Sequence, residues 1–132
     1  GQGQNNDDPT KASYPAGFDN DNIIAVAATD RNDRLASFSN YGRTTVDLAA
    51  PGVDIKSTAA ARYGKYTAMS GTSMATPHVA GAAALLWSRN PTWTYKQVKD
   101  ALMNSVDVIP SLAGKTVTGG RLNILKALRG SN

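Results

Sequence analysis

One serine lies where its neighbours could make it reactive. Ser73 lies in the segment MSGTSMATPHVAGAAALLW, between small residues and at the start of a long apolar run. If a helix begins near Ser73, the serine amide is one of the unpaired N–H groups of the first turn, at the positive end of the helix dipole. Such an amide stabilises the oxyanion that forms when a serine hydroxyl attacks a carbonyl. The segment therefore predicts either a nucleophile or a serine that only caps a core helix.

The chain has a single histidine, His78, which follows the serine by five residues. On a helix, five residues rotate a side chain by about 140° and raise it by roughly 7.5 Å. A general base must lie within about 2.6–3.2 Å of the proton that it removes. We therefore expect His78 to be a packing residue, and any base for Ser73 to lie elsewhere.

Strands and a buried helix are predicted around this segment. Residues 23–28 (IIAVAA) and 46–52 (VDLAAPG) are apolar runs typical of buried strands, and 65–71 (KYTAMSG) is a third strand leading into the serine. The run 73–88 has hardly any polar face, so we expect a helix buried on all sides. Strands that precede buried helices indicate an α/β layered domain.

Two further helices are indicated by their first residues. Thr94 and Gln97 have the spacing of a capping box, in which each side chain pairs with the other residue's backbone N–H group. A third helix is predicted over 123–128, with Asn123 as its N-cap. Both helices follow the buried run and complete the predicted α/β arrangement.

Length and composition exclude several classes of protein. The 132 residues, 41% of them hydrophobic, suffice for one domain with a core. The net charge of +4 is spread without long runs of one sign, so nucleic acid is not an expected partner. No cysteine is present, which excludes disulfides, a cysteine nucleophile and thiolate metal sites. No apolar run has the length of a membrane span, so no membrane partner is expected.

The segment around the serine carries a family resemblance. GTSMATPHVAGAAALL closely resembles the nucleophile motif of the subtilisin-like serine proteases, the subtilases. YPAGFDNDNIIAVAATD, LASFSNYG and DLAAPGVDI resemble the family's segments before the serine, and NPTWTYKQVKDALMNS and GGRLNILKAL resemble its closing helices. The resemblance runs from Gly3 to Leu128. It implies an α/β fold, namely the C-terminal part of a three-layer subtilisin-like fold with a mainly parallel sheet and a buried helix that bears the nucleophile.

The resemblance also implies roles for individual residues. Ser73 is then the catalytic nucleophile of a serine-type endopeptidase, and His78 is outside the catalytic triad. Ser70, Gly71 and Thr72, together with Ser73, are expected to bind the oxyanion and the substrate, which is a polypeptide. The chemistry requires no cofactor. The family also implies a secreted protein, with which the lack of cysteine agrees.

Much of the family's catalytic apparatus is expected upstream of Gly1. In subtilases the order along the chain is Asp, His, an oxyanion-binding Asn, and then Ser. The family's GNxG-like stretch with this Asn is expected at or just before residue 1. If its last glycine is aligned with Gly3, Gly1 occupies the Asn position; if its first glycine is aligned with Gly1, Gln2 does. The polar first residues, GQGQNNDDPTK, resemble an internal loop rather than a signal peptide. We therefore expect residues 1–132 to be the C-terminal half of a subtilase catalytic domain, inactive alone.

Two other hypotheses remain for a chain without the Asp and His segments. It is either a non-catalytic interaction module, or one chain of an obligate two-chain protease whose partner supplies Asp and His. In each case the expected partners are the missing N-terminal half, a second chain, or a second copy in a homodimer or domain swap. Such association would cover the exposed strand edges and the apolar helix.

Calcium is a possible structural ion by resemblance to the family. A weak cation site is implied near Asp47 and the 16–21 loop, where Ala16 supplies a carbonyl and Asp21 a carboxylate. Oxygen-rich loops containing Asp19 and Asp21 suit a hard cation. The alternative is that these carboxylates are solvated turn residues.

Overall fold

Six short strands and three helices lie along residues 1–130, the part of the chain that the computed structural model describes. The elements are β1 (Val26–Thr29), β2 (Leu48–Pro51), β3 (Ile55–Thr58), β4 (Tyr66–Met69), α1 (Thr72–Arg89), α2 (Tyr95–Asn104), β5 (Asp107–Val108), β6 (Gly120–Arg121) and α3 (Ile124–Gly130). Short 3₁₀ turns lie at Ala61–Tyr63 and Pro110–Leu112. None of the helices in this part of the chain is long and apolar enough to cross a membrane.

A four-stranded, mainly parallel sheet positions the helices. Its order is β1-β2-β6-β5, with β1, β2 and β6 parallel and β5 antiparallel to β6. Ala27 pairs with Ala49 and Ala28 with Ala50 along the β1–β2 ladder. The strands predicted over 23–28 and 46–52 are thus confirmed; both are shorter than predicted, and β1 also extends one residue past the predicted end.

The two faces of the sheet pack against different parts of the chain. On one face, side chains from β1 and β2 join residues of all three helices in the larger core; this cluster comprises Ala28, Ala36, Leu48, Ala50, Ala75, Val79, Ala82, Leu86, Val98, Leu102, Leu122 and Ala127. On the other face, Ala27 and Ala49 contact Val46, Ile109 and Leu112 from loops and a turn. The alternation follows from the two-residue period of a strand. All three helices therefore contribute to one core, on one face.

Helix α1 is buried along one stripe. Ala75, Val79, Ala82 and Leu86 lie at most 3% exposed and recur at helical spacing. Most residues outside this stripe are exposed, including Trp87 at 43%. The predicted burial is confirmed for the stripe, but burial on all sides is wrong within residues 1–130. The sequence is apolar around the whole helix, whereas the described chain supplies packing partners for one side.

The caps of α2 and α3 agree with the sequence predictions. Thr94 Oγ1 accepts a hydrogen bond from the Gln97 amide, and Gln97 Oε1 accepts one from the Thr94 amide at 2.8 Å. Asn123 Oδ1 accepts a bond from the Lys126 amide at 2.9 Å. These local bonds fix where both helices begin and hold them over the larger core.

Candidate active site

The first turn of α1 is anchored to the sheet through two glycines. Gly71 is the N-cap in extended conformation, and no side chain caps the helix. The Gly71 amide donates to the Gly52 carbonyl at 2.7 Å. The Gly71 carbonyl accepts from the Met74 amide at 3.0 Å and the Ala75 amide at 3.3 Å. Ser73 is therefore the second residue of a helix whose start is tied to the end of β2.

The Ser73 side chain and amide are both available to a ligand. Ser73 is exposed. Within residues 1–130 neither its hydroxyl nor its amide has a hydrogen-bond partner. An amide at this position of a first turn points out of the helix, at the positive end of its dipole. Since Gly71 occupies the cap, the alternative that Ser73 only caps a core helix is wrong.

Gly52 is a site-forming residue that the sequence analysis missed. A Cβ added there would lie 2.6 Å from Ala28 Cβ, 2.8 Å from Gly71 O and 3.2 Å from Ala75 Cβ. Only glycine allows β1, β2 and the start of α1 to approach this closely. The signal in the sequence was the Pro-Gly pair ending 46–52, which indicates a turn but not the contact that the turn makes.

A groove lies beside Ser73, between α1 and a two-stranded hairpin. Strands β3 and β4 pair antiparallel, outside the main sheet. The strand predicted over 65–71 is confirmed as β4, whereas β3 was not predicted. The groove has a volume of about 400 Å³ and is lined by Ile55, Lys56, Ser57, Thr58, Thr67, Met69, Ser73, Met74, Pro77 and His78. Ser73 and Met74 thus lie on one surface that a ligand can reach.

The predicted substrate-binding residues form the turn from β4 into α1. Ser70 is exposed, and its Oγ accepts a hydrogen bond from the Asp54 amide at 2.9 Å. Thr72 Oγ1 accepts a hydrogen bond from the Gly1 nitrogen at 3.3 Å. The structure therefore brings 70–73 together as one turn, with the first residue of the chain beside it.

His78 is hydrogen-bonded to its own helix and not to Ser73, as the helical spacing predicts. Its Nδ1 donates to the Met74 carbonyl at 2.9 Å, one turn earlier on α1. No hydrogen bond joins His78 to Ser73, although both line the groove. The described chain has no other histidine, so residues 1–130 contain no imidazole base for Ser73.

Residues 2–7 are held along the 38–45 segment. Asn40 Oδ1 accepts from the Gln2 and Gln4 amides at 2.8 and 3.2 Å. Asp7 accepts bonds from the hydroxyls and amides of Thr44 and Thr45 and from the Arg43 amide. Desolvation opposes ionisation of Asp7, but these hydrogen bonds outweigh it and hold its pKa below the usual value. Together these bonds fix the path that brings residue 1 to the start of α1.

The predicted cation site is only partly assembled. Asp47 and Ala16 line one cavity of about 240 Å³, together with the exposed Asp19, but Asp21 does not line it. Lys99 also enters this cavity from α2. The sequence analysis gave Lys99 no role, because the residue is separated from Asp47 by more than fifty positions and nothing local indicates the contact.

The fold and the serine-bearing helix define a class of protein. Residues 2–126 match the sequence pattern of the Subtilase family, peptidase S8, and the chain belongs to this family. The predicted fold class, part of a subtilisin-like α/β fold, is thereby confirmed.

Several relatives agree with this assignment. The chain is 45% identical over 106 residues to Subtilisin BL from Lederbergia lenta, covering 80% of this chain and 38% of that protein. It is 49% identical over 114 residues to the Thermophilic serine proteinase of Bacillus sp. (strain AK1), covering 86% and 26%. A solved protease from Pseudoalteromonas arctica PAMC 21717 superimposes with a TM-score of 0.79 at 28% identity, covering 90% of this chain and 38% of that one. The chain thus spans about two fifths or less of the length of these relatives.

Proposed function

We propose that residues 1–132 are the C-terminal half of the catalytic domain of a serine endopeptidase, with Ser73 as its nucleophile. The observation that carries this proposal is the first turn of α1. There an exposed serine hydroxyl and its own unpaired amide lie together beside a groove. Membership of the subtilase family supports the same chemistry.

In the proposed reaction, Ser73 Oγ attacks the carbonyl carbon of a peptide bond. The carbonyl oxygen becomes an oxyanion and accepts a hydrogen bond from the Ser73 amide, at the positive end of α1. The Ser73 proton passes to a base and then to the leaving amine, which departs as the acyl-enzyme forms. The turn formed by Ser70, Gly71 and Thr72 lies where the polypeptide backbone would approach. No cofactor is needed for these steps.

The base and its carboxylate must come from outside the described chain. Its one histidine is hydrogen-bonded to its own helix. In subtilisin, loss of the triad histidine lowers kcat about 10⁶-fold, and loss of the oxyanion Asn lowers it about 10²–10³-fold. We therefore expect residues 1–132 alone to be inactive. The Gly1 nitrogen lies 3.3 Å from Thr72 Oγ1, which supports a segment with the oxyanion Asn reaching the site just before residue 1.

The exposed side of α1 supports a covering partner. Leu85 and Trp87 are 50% and 43% exposed on a helix that is apolar around its circumference. These two residues lie on different sides of the helix, and we propose that the missing N-terminal half covers both of them and that the isolated chain dimerises or exchanges an element instead. Sedimentation of the isolated chain tests this: a compact monomer at micromolar concentration would contradict it. Secretion is proposed from the family alone.

Labelling with a fluorophosphonate probe tests the proposal. We expect no labelling of residues 1–132 alone and labelling at Ser73 when the N-terminal half or a partner chain is supplied. Ser73→Ala is the matched control and should abolish the signal. Labelling restored only by a separate natural chain identifies a two-chain enzyme. Absence of labelling under every condition would reject the nucleophile and favour the interaction module.

A further inference from the structure

An ammonium group lies inside the cavity where the family resemblance implies a cation. Lys99 Nζ donates to the Ile23 carbonyl at 2.6 Å and lies 3.3 Å from Asp47 Oδ1. The side chains of Lys99 and Asp47 are only 20% and 16% exposed. Lys99 therefore joins α2 to two walls of the cavity. One wall is the loop before β1, which contains Ile23, and the other is Asp47, directly before β2.

The oxygens of this cavity do not fit calcium as they stand. Calcium takes about six to eight oxygen ligands. One Asp47 oxygen faces Lys99 and the other accepts from the Ala25 amide at 2.7 Å, so both are engaged. Asp21 does not line the cavity. Within residues 1–130, no three histidine or carboxylate side chains converge as a metal-binding group. A divalent ion beside Lys99 would also be repelled by its charge.

We propose that the Lys99 ammonium is the built-in cation of this site and that the protein binds no calcium there. The charge of Asp47 is neutralised by a group that is covalently part of α2. The ammonium also reaches the Ile23 carbonyl, which a metal ion would otherwise bind. A chelator cannot remove this cation, so the 16–23 loop keeps its attachment without metal.

Removal of the ammonium should create a metal site. Lys99→Met retains most of the aliphatic length and releases Asp47 Oδ1 and the Ile23 carbonyl towards the cavity. The Ala16 segment and Asp19 also line it. We expect Lys99→Met to bind one calcium ion more per molecule than the wild type. Adding Asp47→Asn to that variant should abolish the extra ion.

The experiment compares calcium stoichiometry by equilibrium dialysis and the calcium dependence of Tm in the complete protein. Every version carries Ser73→Ala to prevent self-digestion, so the result is independent of the proposed function. Lys96→Met is the matched control, because Lys96 is on the same helix but exposed and paired with Asp100 at 3.5 Å. We expect calcium to raise the Tm of Lys99→Met more than that of the wild type or of Lys96→Met.

Equal calcium stoichiometry in Lys99→Met and the wild type would overturn the proposal. A crystal structure of the wild type soaked in calcium decides the question even if the variant fails to fold. Retention of the Lys99 contacts with Asp47 and Ile23 supports the proposal. A calcium ion bound to Asp47 refutes it.

Discussion

Substitution of Gly52 by alanine should displace Ser73, the proposed nucleophile, although the two residues are not in contact. The new Cβ would lie 2.6 Å from Ala28 Cβ and 2.8 Å from Gly71 O. Carbon atoms in contact are normally about 3.5–4.0 Å apart. The groups must therefore separate by roughly 1 Å. Ala28 is completely buried in β1 and has nowhere to move. The displacement is expected to fall on Gly71, whose carbonyl holds the first turn of α1.

The expected loss of catalysis should be measurable while the protein remains folded. A misplacement of about 1 Å in a catalytic group costs about 10²-fold in rate. Overpacking a core position destabilises a protein by about 1–3 kcal/mol. We therefore expect Gly52→Ala to lower kcat/KM about 10²-fold in the complete protease while it remains folded at room temperature.

The assay is kcat/KM on a peptide substrate, with circular dichroism melts to establish folding. Gly130→Ala is the control, because a Cβ there meets nothing within 4 Å. Ala28→Gly, added to Gly52→Ala, removes the closest clash and should restore part of the activity. A folded Gly52→Ala protease with wild-type kcat/KM would refute the role given to Gly52.

Three further predictions concern single side chains in the complete protein. Asp7→Ala should destabilise the protein by about 1–2 kcal/mol at pH 7. Because folding lowers the pKa of Asp7, thermal melts should show the stability difference between the two proteins vanishing as the pH falls below about 4. Thr29→Val should stabilise the protein by about 1 kcal/mol, because the buried Thr29 hydroxyl has no partner within residues 1–130. Thr116→Val is the control, because it loses the hydrogen bond from the Gly119 amide. If denaturant unfolding shows Thr29→Val to be no more stable than Thr116→Val, the prediction is wrong. Peroxide should inactivate the folded protease by oxidising Met74, which lines the groove with Ser73, and Met74→Ala should resist. Peptide mapping identifies which methionines are oxidised. Met103 is the control, since Met69 also lines the groove. Activity that survives full oxidation at Met74 would refute the prediction.

Features set by neighbouring residues were predictable from the sequence. The apolar run after Ser73 predicted a helix that begins near this serine, and α1 begins at Thr72, with Gly71 as the cap. The Thr94–Gln97 capping box required only a three-residue spacing, and both bonds are present. The absence of a hydrogen bond between His78 and Ser73 followed from helix geometry alone. In each case the partners lie within one or two turns of one another.

Contacts between distant residues were not predictable in the same way. The Lys99–Asp47 pair joins two elements whose packing no local pattern specifies. The donors to Asp7 lie 36–38 residues further along the chain. The exposure of one side of α1 depends on which partners are present, whereas the sequence of the helix shows only that it can be buried. Such features arise from tertiary packing.

The alanines beneath α1 have a further consequence for the serine that this helix carries. Ala28 and Ala50 in the sheet and Ala75 in the helix belong to the same core cluster, and each is completely buried. Alanine has no side-chain rotamers and loses no side-chain entropy on folding. A larger residue at one of these positions could pack in several rotamers. Each rotamer would hold the helix at a different distance from the sheet. Because these side chains contain no variable torsion, they cannot repack, and the height of the Ser73 backbone above the sheet is set by the backbone alone.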